Sequence, residues 1–318
     1  MTALRGPGDR TGRELRLLGH LAGGRPAALA ALADTVADEP DGETLLYLVA
    51  WRAAAYTDSL RLAEPVARRL GAETADPRVR LRARLRHAEY AMADGRLAEA
   101  LARAASPPDG DAALLGARAY FAALPFSGAS AAVRRAYADS LARWTRPLPP
   151  LDDYPRDELA LDGADPRLRD YPLGLLAVRL GDLAGAERAA AALERVAGSA
   201  DVRRAAHGLA AVVRAERAAA AGDVAGALGH LAAADPDVPQ AWRLTLHGGG
   251  ALARYLRAEW RLRAGAAGPA LAEFRTFGSD NAGELAFAGV VRAGRQRASA
   301  TTGALASGAS PRTPYLRW

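Results

Sequence analysis

The sequence predicts an all-α chain, an α-solenoid of about seven helical hairpins with a disordered or loosely packed C-terminal tail. Three observations lead there. Half of the 318 residues are hydrophobic, yet only 5 are Trp, 9 Tyr and 5 Phe, and isoleucine is absent, so the apolar half is mainly Ala, Leu and Val. Ala and Leu favour helices, whereas sheets draw on Ile, Val and aromatics. Apolar residues recur at helical spacing on both sides of a glycine. That glycine then returns along the chain at intervals long enough for two helices and two short turns.

The hairpin is read from four segments that align on Gly95, Gly181, Gly222 and Gly265. Seven residues before each glycine stands a small residue: Ala88, Gly174, Ala215 and Ala258. Five after each stands Ala100, Ala186, Ala227 or Ala270, and nine after stands Ala104, Ala190, Leu231 or Phe274. The glycine ends the first helix, where a left-handed residue is cheap only for Gly. Asp182 and Asp223 follow directly and suit the N-cap of the second helix. The paired small residues let the two backbones come close. Weaker copies centre on Gly23, Thr57 and Gly128, giving anchor spacings of 34, 38, 33, 53, 41 and 43 residues.

The small residue, the hairpin glycine and the following alanine, in register over residues 15–278, resemble the tetratricopeptide repeat family. Four of the spacings exceed the roughly 34 residues of that family, so the repeats are degenerate, with longer helices or loops. The C-terminal stretch from Ala253 to Ser279 is similar to the helical repeats attached to large bacterial signalling proteins. The resemblance implies a concave groove lined by the first helix of each hairpin, and a non-catalytic scaffold or adaptor that binds a protein or peptide partner there.

The chain divides into N-terminal repeats over 1–144, a Pro-rich loop over 145–172, C-terminal repeats with a capping helix over 173–298, and a flexible tail over 299–318. The loop carries six prolines, and proline breaks a helix interior. The tail is rich in Ser, Thr, Gly and Pro, a composition that buries little.

Composition excludes several chemistries. No cysteine is present, which removes disulfides, thiolate metal sites and thiol nucleophiles. No lysine is present, so all 42 basic residues are Arg, and there is no phosphate-loop lysine or Schiff base. The segment His247 to Gly250 resembles an esterase oxyanion loop, but no Gly-x-Ser-x-Gly elbow accompanies it; the glycines are read as the start of a helix over 251–262. The five histidines have no i,i+4 pairing. The expectation is a protein without enzyme activity, cofactor or metal. No apolar run reaches the length of a membrane span and the N-terminus has no signal-like core, so the expected location is the cytoplasm, with no membrane contact.

Two surfaces are candidates for a partner. In the register of the resembled family, the groove positions are Tyr47, Trp51, Glu89, Glu216, Tyr255 and Glu259. Aromatics beside exposed acids suit a basic or amphipathic segment. The alternative is nucleic-acid or phosphate binding by Arg78, Arg80, Arg82, Arg84 and Arg86, on a helix that starts at Asp76-Pro77. An enzyme with a site inside the superhelix is a third reading.

Overall fold

A computed structural model describes residues 10–37, 46, 69, 88–105, 112–143, 168–198, 200–234, 250–277 and 282–306. Among them the chain is all-helical. The first hairpin is α1 (Arg10–Ala22) and α2 (Pro26–Ala37). A helical stretch over 88–93 leads into α3 (Leu97–Ala105), followed by α4 (Ala112–Ala123) and α5 (Ala131–Ala142). Then come α6 (Asp170–Arg179), α7 (Leu183–Glu194), α8 (Ala200–Ala220) and α9 (Val224–Ala233). The last elements are α10 (Ala251–Arg263), α11 (Ala267–Arg275), a 3-10 turn over Ala282–Phe287 and α12 (Ala288–Ala306).

The four aligned glycines all take left-handed backbone, with φ between +78° and +88°. In each, the glycine N–H bonds back three residues and the next N–H bonds back five; at Gly181 the acceptors are the Val178 and Ala177 carbonyls, at 3.1 and 2.9 Å. This is the Schellman arrangement, which satisfies carbonyls a helix end would otherwise orphan. The Asp182 and Asp223 carboxylates accept from the Gly185 and Gly226 N–H, each at 2.7 Å, and so start the second helix. The small residues at the two facing positions are buried throughout. A Cβ on Gly174 would stand 2.7 Å from Val213 Cγ1 and 3.2 Å from the Ala189 Cβ, so only glycine fits where α6 meets both α7 and α8.

Each helix from α6 to α9 packs on its successor, and α10, α11 and α12 do the same. Alternate helices also touch: α4 with α6, α6 with α8, and α10 with α12. One buried cluster of side chains runs from Ala88 to Ala298.

Several boundaries differ from the sequence reading. The first hairpin turns on Gly24 (φ +59°) rather than Gly23, with Arg25 N–H bonding to the His20 carbonyl. In that register the facing positions are Leu17 and Leu29, both buried. The Gly128 copy is a different turn: Ser130 caps α5 one residue later, and Val133, five residues after the glycine where the other hairpins bury an alanine, is exposed. Helix α6 starts at Asp170 and takes Pro172 into its first turn, where the missing N–H costs nothing. Helix α12 runs through the first part of the expected tail to Ala306. Ala298 is fully buried there, and the Thr301 and Thr302 hydroxyls donate back to the Arg297 and Ala298 carbonyls. Gly250 caps α10 in left-handed backbone, as a helix-starting glycine. Most of the Pro-rich loop (145–167), the Thr57 copy and the last twelve residues lie outside the described residues.

Candidate functional site

The three glutamates expected on an open groove are buried instead: Glu89 is 0% exposed, Glu216 4% and Glu259 5%. That corrects the expectation of exposed acids. Glutamate is almost never fully buried unless paired, and for Glu216 and Glu259 the partner is an arginine. Arg179 of α6 donates to Glu216 of α8. Arg297 of α12 donates to Glu259 of α10. A fourth buried acid, Glu284, is held by Arg254 of α10. Tyr255 is buried too, among rings rather than on a surface. Tyr47, Trp51 and the arginines from Arg78 to Arg86 lie outside the described residues.

These residues meet along the seam between first helices. Tyr120 of α4 stacks on Tyr171 of α6, with ring centroids 6.0 Å apart. Burial pushes the Tyr120 phenol far above its ordinary value, and the charges of Glu89 and Glu216 push it further. Burial does the same to Tyr171, with Tyr120 and Glu216 adding and Arg179 opposing. Tyr255 is raised by burial and by Glu259. Three tyrosines therefore stay neutral inside a seam of carboxylates and guanidinium groups.

The same arginines finish helix ends. Arg179 Nε donates to the Ala123 carbonyl at 2.9 Å, and Arg134 Nε to the Ala122 carbonyl at 3.1 Å. The Ser127 hydroxyl also donates to the Ala122 carbonyl, at 3.0 Å. Burial and the neighbouring Arg179 lower the affinity of Arg134 for its proton. Arg295 closes α11 in the same way, donating to the Phe274 and Phe277 carbonyls at 2.9 and 2.7 Å. Charge in the seam thus serves structure as well as pairing.

An aromatic cluster lies at the C-terminal end of the seam. Phe126 meets Tyr255 edge-on at 5.4 Å and Phe287 at 5.2 Å; Phe277 lies 6.1 Å from Phe287. Sequence reasoning missed Phe126, Phe287, Arg179 and Arg254. None belongs to the repeat register, and their partners lie far along the chain. The available signal was that buried-register glutamates in a lysine-free chain require arginines.

Among the described residues no group of three or more His, Asp or Glu could hold a metal. His207 is exposed, its Nδ1 3.8 Å from Glu194. Arg214 bridges Glu187 and Glu194, tying α7 to α8. That hydrogen bond holds the Glu194 carboxyl below the usual range. Among the described residues no helix is long and apolar enough to cross a membrane. No family model, curated protein or solved structure matches the chain.

Proposed function

We propose that the chain is a non-catalytic adaptor, a tetratricopeptide-like α-solenoid that binds a polypeptide segment. One observation carries this reading: the same glycine-ended hairpin recurs, and α4, α6 and α10 each pack on the first helix that follows, α4 on α6, α6 on α8 and α10 on α12. Stacked hairpins of this kind bury one another's apolar faces and leave an extended surface along the first helices. Extended and helical segments dock on such surfaces through apolar anchors and a few charges. The buried glutamates are part of the wall that holds this surface, not its contacts. Tyr47 and Trp51 stay candidates for contact.

The test is capture from the source organism's extract on the immobilised full-length chain, with cross-linking mass spectrometry to place what is retained. The expected result is a protein cross-linked along the first helices and retained in moderate salt. Retention of nucleic acid that falls steeply as salt rises would move the assignment to the arginines from Arg78 to Arg86.

A further inference from the structure

The segment over Ala282–Phe287 does more than cover the last hairpin. Phe287 is fully buried, with ring neighbours from three places: Phe126 after α4, Tyr255 on α10 and Phe277 after α11. Two residues on, Gly289 lies against the end of the 88–93 helix; a Cβ there would stand 2.7 Å from the Ala93 carbonyl oxygen. A terminal cap need only touch the hairpin beside it. This segment reaches residues that precede it by well over a hundred positions.

Arg254 beneath it is also held by contacts outside the segment. Arg254 Nη1 donates to the Thr276 carbonyl at 3.1 Å, and its guanidinium lies 4.6 Å over the Phe277 ring. Those two contacts aim the cation at Glu284. Four of the chain's five phenylalanines gather here, counting Phe274 against Tyr255. In a chain so poor in aromatics, this is where anchors for a partner are concentrated, and buried aromatics and arginines dominate binding energy at interfaces. The occupant is a 3-10 turn of six residues, a form with poorer hydrogen bonds than an α-helix.

We propose that residues 282–289 are a tethered occupant of the segment-binding surface, and that its partner presents the same chemistry. That chemistry is a carboxylate for Arg254, an aromatic ring three residues later for the Phe126–Tyr255–Phe277 seat, and a glycine two residues beyond for the Ala93 carbonyl. The proposal rests on the adaptor reading and names its ligand class. A partner segment gains the site by displacing the chain's own, so binding and opening are one event.

The experiment uses the full-length chain and a labelled peptide spanning residues 282–298. In full-length Gly289→Ala the tethered copy collides with the Ala93 carbonyl, while the peptide keeps its glycine. A tethered segment competes at an effective concentration on the order of millimolar, so wild type binds the peptide about tenfold or more weakly than Gly289→Ala does. A peptide carrying Phe287→Ala binds neither. Hydrogen exchange on the wild-type chain is the second measurement. Residues 282–298 exchange through an opening that leaves α10 and α11 protected. Peptide binding to neither protein, or exchange of the segment only together with α10 and α11, overturns the proposal and makes the segment an integral cap. The peptide readout needs no cellular partner. Its failure beside a captured protein removes the tethered occupant alone; peptide exchange with no protein captured removes the adaptor reading.

Discussion

Replacing Gly174 by alanine sets two magnitudes of opposite sign against each other. In an unpacked helix, glycine to alanine stabilises by about 1 kcal/mol. In α6 the added Cβ would stand 2.7 and 3.0 Å from the two Val213 γ-carbons and 3.2 Å from the Ala189 Cβ. Val213 is fully buried and β-branched, and a helix allows valine essentially one χ1 rotamer, so it does not swing aside. Overpacking of this kind costs about 1–3 kcal/mol. Gly174→Ala therefore destabilises by a net of up to about 2 kcal/mol. Val213→Ala alone removes two methyl groups and costs about 1–3 kcal/mol. In the double variant the new methyl moves into the vacated space, and the total falls short of the sum by about 1–2 kcal/mol. The assay is thermal and urea unfolding of the four proteins by circular dichroism. Hydrogen exchange reads the loss at α6 and α8, the helices that meet at Gly174. A higher melting temperature for Gly174→Ala, or additive effects in the cycle, would refute the close approach of the two helices.

Three further outcomes follow from the same geometry. Arg179→Met orphans the Glu216 carboxylate and the Ala123 carbonyl and costs about 3–5 kcal/mol, whereas Arg179→Met with Glu216→Leu recovers most of it in urea unfolding. Asp182→Ala and Asp223→Ala each cost about 1 kcal/mol, with hydrogen exchange rising first in the opening turns of α7 and α9. Burial keeps the Tyr120, Tyr171 and Tyr255 phenols protonated above their ordinary value near 10.0. The folded chain then holds protons that the unfolded chain releases, so this stability is full below pH 10 and falls as pH rises, by about 1 kcal/mol per tyrosine between pH 10 and 11. The chain has no lysine or cysteine to titrate in that range, so a melt series read beside tyrosinate absorbance checks it directly.

The hairpin was legible because everything that makes it is local. A left-handed glycine, the aspartate after it and two facing small residues all fall within about a dozen positions, and each acts through its own backbone. Gly23 was read for Gly24 because two adjacent glycines satisfy the same pattern, and only the Arg25 to His20 bond separates them. The glutamates six residues before the hairpin glycine were placed correctly on the first helices but assigned to the wrong environment. What buries Glu216 and Glu259 is an arginine 37 or 38 residues away on another helix, and no local pattern reports it. The aromatic cluster was invisible for the same reason: Phe126 and Phe287 are joined only by the packing of distant hairpins.

The order in which the ribosome delivers these residues has a cost. Each hairpin completes its own turn as soon as it emerges, because its bonds span only a few positions. The ring partners of Phe126 among the described residues are Tyr255 and Phe287, and roughly 160 further residues must be synthesised before Phe287 arrives. At about 5–20 residues per second that interval is on the order of 10–30 s. Through it the growing chain carries an uncovered Phe126 and the uncovered carbonyl end of the 88–93 helix. The nascent polypeptide is prone to aggregate through that interval, which closes when Phe287 and Gly289 emerge.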